Sequence, residues 1–263
     1  MNSSAPSVLA IAAHPDDIEF VMSGTMLRLA AAGWNLHYFN LANGCCGSMT
    51  LDRQACAAIR LSEAQQAAEL LSAKFYAPIC NDLEIFYTRD LLAKVASVVR
   101  QARPRIVLTH ALYDYMEDHQ NAARLAQTAA FAKSMPNFIT DPATQTCGIE
   151  VTLYHAQPHG NRTPLGEIVR PTHYVDVTDQ LETKRQLLLA HASQAQWLDE
   201  TQKLNSYIVA LEELNSEVGK FSGRFQYAEG WRKHLHLGFC SAGADPLRDA
   251  LGNSIHVELE QRE

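Results

Sequence analysis

Two periodicities alternate along this chain and sort it into strands and helices. Residues 8–13 (VLAIAA) are all apolar, too short to be a helix burying one face, and match a parallel strand covered on both sides. The pattern then becomes helical. Met22, Met26, Leu27, Leu29 and Ala30 fall on one side as far as Gly33, a natural stop. Residues 35–41 predict a second strand, 51–71 a helix with Ile59, Ala67, Leu70 and Leu71 inward, 74–77 a short third strand, 90–102 a helix closed by Pro104, and 105–109 a fourth, buried strand. Strand alternating with helix four times predicts an α/β fold, a doubly wound, mainly parallel sheet flanked by helices. Beyond it the pattern predicts a helix from near Asp118, strands over 150–155 and 173–177, a helix carrying Lys184 and an amphipathic helix over 204–218. The polar tail from Ser241 predicts a peripheral helix. With no repeats, the chain reads as one domain over 1–263 with a helical or irregular extension from about 198.

Composition narrows the function. A chain of 263 residues with 47% hydrophobic content builds a substantial core, and a net charge of −7 offers no footprint for nucleic acid. No basic run suggests a membrane surface, no apolar run has the length of a spanning helix, and MNSSAPSV lacks the charged start of a signal peptide. The six scattered cysteines read as reduced thiols. Together these predict a soluble, cytoplasmic protein; self-association into a homo-oligomer stays open.

The chemistry concentrates where the first strand ends, at His14, Pro15, Asp16 and Asp17, the edge where open α/β sheets hold ligands. His14 and Asp17, three apart on a turn entering a helix, point the same way, whereas Asp16 and Asp17 diverge by about 100°. One aspartate can therefore bind a metal while its neighbour faces water. Two carboxylates at this turn would repel a pyrophosphate, which argues against a nucleotide.

The run A-H-P-D-D-I-E over 13–19, with Gly24 and Thr25 beyond it, resembles the signature of the PIG-L/LmbE family of zinc-dependent N-deacetylases. The resemblance implies a Rossmann-like domain and recurs along the chain. Residues 60–64 (RLSEA) are similar to the family's R-x-x-E-A, which implies that Arg60 contacts substrate; taken alone, Arg60 reads as a surface arginine paired with Glu63. Asp82 matches a sugar-binding aspartate. M-E-D-H over 116–119 stands where the family has H-P-D-H, so that His119 is implied as a metal ligand and Asp118 as the carboxylate beside it. The oxyanion-stabilising histidine of relatives is replaced by Met116, which donates no strong hydrogen bond. Asp176, Lys184, His191, Ser193 and Gln194 match a later family pattern that includes [HY]-x-S-Q, and 227–229 its Y-A-E.

These matches imply His14, Asp17 and His119 as ligands of one zinc with an open position for water, Asp16 as the general base, and a small N-acetylated sugar or sugar conjugate as substrate. His191 is expected to assume the oxyanion role lost at Met116. Rival readings are an amidase acting on a non-acetyl amide conjugate, and a zinc-binding module that has lost catalysis. A phosphoesterase would want a second metal and basic residues that the chain does not cluster.

Overall fold

β1 (Ser7–Ala12) lies in the middle of the sheet, and every one of its residues after Ser7 is buried. Side chains alternate across a strand, so Val8, Ala10 and Ala12 enter one hydrophobic layer and Leu9 and Ile11 the other. In the computed structural model, which describes residues 5–195 and 207–258, β1 is followed by β2 (Asn35–Asn40), β3 (Lys74–Tyr76), β4 (Ile106–Thr109), β5 (Thr152–Ala156), β6 (His173–Asp176), β7 (Ala228–Lys233) and β8 (Ile255–Val257). Their spatial order is β3-β2-β1-β4-β5-β7-β6-β8. The first five are parallel; β7 runs antiparallel to β5 and β6, and β8 antiparallel to β6. The order reverses at β1 and β4, the switch point where such sheets open a crevice.

The helices are α1 (Asp17–Val21), α2 (Ser23–Ala31), α3 (Arg53–Leu70), α4 (Arg89–Ala102), α5 (Glu117–Ala132), α6 (Leu181–Leu189), α7 (Tyr207–Ser222) and α8 (Pro246–Leu251). α4 and α5 cover the Leu9 and Ile11 face, through Val95, Val99, Leu125 and Ala129 among others. α2, α3, α6 and α8 contribute to the opposite layer. The expected residue 204 start of the last long helix and the first four residues of the chain lie outside the described residues.

Three expectations need correction. The helix predicted from Asp16 to Gly33 is two helices broken at Met22, because Lys184 Nζ takes the carbonyls of Glu19 and Phe20 while Glu229 receives the N–H groups of Gly24 (2.8 Å) and Thr25 (2.7 Å). A carboxylate at the start of α2 complements its dipole. Gly24 is needed there: a Cβ would meet Val177 Cγ1 at 2.4 Å. Second, the described residues past 198 are part of the domain's sheet and not a peripheral extension, since β7 is inserted between β5 and β6. Third, the tail contains the short α8 and then β8 at the sheet's edge. A strand that joins a sheet antiparallel late in the chain needs partners far away in sequence, and local periodicity does not carry that.

Candidate metal centre and active site

The residues of the HPDD turn and the start of α5 meet because β1 and β4 are neighbours and both run toward the same edge. They line a cleft of about 720 Å³ together with Arg60, Asp82, Tyr115, Met116, Gln157, His159 and Tyr207. Within it, one ligand atom from each of His14, Asp17 and His119 lies within 4.8 Å of the others.

Each histidine is held by a carboxylate on the nitrogen away from this point. His14 Nε2 is 3.0 Å from Asp118 Oδ2, which also receives Leu83 N–H at 2.7 Å. His119 Nδ1 is 3.0 Å from Asp114 Oδ1. That leaves His14 Nδ1 at 3.6 Å from Asp17 Oδ2 and His119 Nε2 at 3.4 Å from Asp17 Oδ1. Carboxylates behind metal-ligating histidines fix the ring and its tautomer. Burial works against charge on His14, yet its hydrogen bonds to Asp118 and Asp17 raise the pKa to about 10. Burial would likewise raise the Asp17 pKa, but the His119 and His110 rings hold it well below the usual range. This electrostatic setting favours positive charge at the centre, and two imidazole nitrogens with one carboxylate suit a divalent transition metal. Cys45, Cys46 and Asp82 also lie close together, but the Asp82 oxygens accept from Gly44 N–H (2.6 Å) and Cys46 N–H (2.8 Å), and Cys45 Sγ faces Arg53. Asp82 thus braces the loop after β2 at the rim of the cleft.

Asp16 occupies a strained backbone position, with φ 107° and ψ −27°. Such a conformation costs a non-glycine residue on the order of 1–3 kcal/mol and persists only where its surroundings enforce it. Here the enforcers are Arg60, which donates to Pro15 O and lies 3.3 Å from Asp16 Oδ2, and the Tyr207 hydroxyl, which donates to the same oxygen at 2.7 Å. Oδ1 has no side-chain partner among the described residues. Burial raises the Asp16 pKa and Arg60 opposes it.

Arg60 is therefore neither the surface arginine of the simple reading nor free to reach outward: it is 3% exposed and braces the turn of Asp16. Glu63 instead receives Ser193 N–H and Oγ–H. His191 is absent from the cleft. It is fully buried, with Nε2 3.3 Å from Glu19 Oε2, because α6 packs against α1 through Lys184 and sets its end behind Asp16. The expected placement of His191 beside a substrate carbonyl is thus corrected.

The sequence did not mark three contributors. Asp114 was legible only as one more loop aspartate. His110 stacks flat on His119 with centroids 4.2 Å apart, and its Nε2 lies 3.2 Å from Asp17 Oδ2. Tyr207 reaches Asp16 across 191 residues, with nothing local to signal it. On the segment after β5, His155 bonds away to His110 O and His234, and Arg162 pairs with Glu217, whereas His159 lines the cleft.

The parallel part of the sheet brings two histidines, an aspartate and a braced second aspartate to its open edge, a set that suits a metal-dependent hydrolase. The chain belongs to the PIG-L family: residues 9–130 match the family described as GlcNAc-PI de-N-acetylase. It is 30% identical over 232 residues to the diacetylchitobiose deacetylase of Thermococcus kodakarensis, covering 86% of this chain and 82% of that protein. A solved structure of the N,N'-diacetylchitobiose deacetylase of Pyrococcus horikoshii, in complex with an inhibitor, superposes with a TM-score of 0.73 at 25% identity, covering 89% of this chain and 85% of the other. The 4-oxalmesaconate hydratase of Pseudomonas putida is also similar, 28% identical over 202 residues, or 74% of this chain and 76% of that one.

Proposed function

We propose that the protein is a zinc-dependent N-deacetylase that removes the acetyl group from a small N-acetylated amino sugar. The observation that carries this reading is the pairing of an N,N,O metal centre with a second carboxylate, Asp16, whose free oxygen is held at the same cleft. His14, Asp17 and His119 hold the metal, with Asp118 and Asp114 orienting the two rings. When bound, the metal supplies Lewis acidity and lowers the pKa of water to about 7. Asp16 takes a proton from the attacking water as the water oxygen bonds to the acetyl carbonyl carbon. The carbon–nitrogen bond then breaks, and the proton held on Asp16 passes to the departing nitrogen, giving acetate and a free amine. Tyr207 and Arg60 fix Oδ2, so Oδ1 does this work. A pKa raised by burial lets Asp16 keep the proton between the two steps.

Charge separates this from hydration of an acidic substrate, the reading prompted by the hydratase relative. Among the described residues lining the cleft, Asp16, Asp17, Asp82, Asp114 and Glu117 are acidic, and Arg60, already engaged by Asp16, is the one lysine or arginine. That lining suits a neutral amide and the ammonium it releases, and repels a polycarboxylate. Free thiols at all six cysteines support a reducing, cytoplasmic setting. The test is primary-amine release by the zinc-loaded protein from N-acetylglucosamine and N,N'-diacetylchitobiose. Asp16→Asn should keep its zinc and lose about 10²-fold or more in rate. Full zinc occupancy with no amine released by the unaltered protein would reject the reading.

A further inference from the structure

Amide hydrolysis places negative charge on the acetyl oxygen in the transition state, and a hydrogen-bond donor aimed at it is worth about 10²–10³-fold in rate. Met116 lines the cleft at the start of α5 and can supply no such donor. Several other donors at the cleft are already engaged. Arg60 and the Tyr207 hydroxyl serve Asp16, the Gln157 amide donates to Val169 O, and His110 is stacked on His119 against Asp17.

His159 lines the same cleft. Its backbone N–H is 3.4 Å from Asp114 Oδ2, while Asp114 Oδ1 receives Met116 N–H at 3.2 Å and holds His119 Nδ1. One carboxylate thus ties together a ligand histidine, the residue that lacks a donor and a histidine that faces the cleft. The turn carrying His159 is rigidly placed. Pro158 precedes it, and Asn161 is anchored on α7 through Leu214 O (3.2 Å) and Glu217 Oε2 (2.9 Å). The imidazole packs 5.6 Å from the Tyr115 ring, itself edge-on to His119 at 5.5 Å.

We propose that His159 is a catalytic residue that donates a hydrogen bond to the acetyl carbonyl oxygen, from the side of the cleft where Met116 cannot. The assignment rests on the deacetylase reading. Burial and the neighbouring His119 lower the His159 pKa.

The experiment compares the zinc-loaded protein with His159→Phe, His159→Gln and Tyr115→Phe. On N,N'-diacetylchitobiose, His159→Phe should lower kcat about 10²-fold while KM and zinc content stay within about twofold, and His159→Gln, which keeps a donor, should recover part of the loss. Methylphosphonate, a tetrahedral oxyanion the size of the acetyl group, gives a readout independent of turnover. Its calorimetric affinity should fall about tenfold in His159→Phe. An unchanged kcat in His159→Phe, or the whole loss appearing in Tyr115→Phe, overturns the assignment. If the unaltered protein releases no amine from any N-acetylated sugar, the deacetylase reading falls, and equal methylphosphonate affinity in the two proteins then overturns the role of His159 separately.

Discussion

Two regions of this molecule are built from the same residue types and do opposite things. At the cleft, His14 and His119 are each backed by a carboxylate, Asp118 and Asp114, on one nitrogen, leaving the other turned toward Asp17. Behind the turn of Asp16, His191 lies against Glu19, and Lys184 pairs with Glu229, with neither group exposed to solvent. The first set is open on one side and can accept a ligand. The second closes on itself and holds α1, α2, α6 and β7 together. A histidine beside a carboxylate is thus functional or structural according to whether its second nitrogen reaches a cavity.

The comparison can be broken most forcefully at the open set. His119→Ala should abolish metal binding and activity while the fold persists, because its ring lies at the rim of the sheet; full zinc occupancy in that variant, by metal analysis, would remove it from the ligands. At the closed set, Lys184→Met should leave Glu229 buried without its partner and cost about 3–5 kcal/mol of stability in urea unfolding. A loss below about 1 kcal/mol would show that the pair is not what joins these elements. Asp118→Asn is a milder probe of the open set. It keeps the shape behind His14 and should weaken zinc about 10–100-fold in a competition titration, with little change in unfolding midpoint.

The smallest effect concerns protons. Burial lowers the pKa of His155 to about 4, and burial with Lys74 does the same for His37. Unfolded, both would titrate near 6.5. Between those values the unfolded chain binds more protons, so stability should rise with pH through the window and be lost as pH falls from 6.5 toward 4. Thermal unfolding across that range checks the slope, and His155→Gln should flatten it; an unchanged slope would place the effect elsewhere.

Much of the architecture was legible because it is local. The unbroken apolar run of β1, the helical stripes of α4 and α5, and the turn after β1 that presents His14 and Asp17 follow from side-chain periodicity and from strand ends in a parallel sheet. The A-H-P-D-D and E-D-H segments carry the donors of the candidate metal centre within a few residues of such ends. What the sequence did not determine was which way a polar side chain turns once distant elements meet. Arg60 faced either solvent or substrate until the Asp16 turn folded over it, and His191 looked like a cleft residue until the Lys184 anchor drew the end of α6 beneath α1. Tyr207, Asp114 and His159 acquire their contacts from packing between segments remote in the chain. Periodicity fixes the face an element buries, whereas hydrogen-bond partners across elements are chosen by tertiary geometry, because a buried polar atom bonds to whatever partner the fold brings within reach.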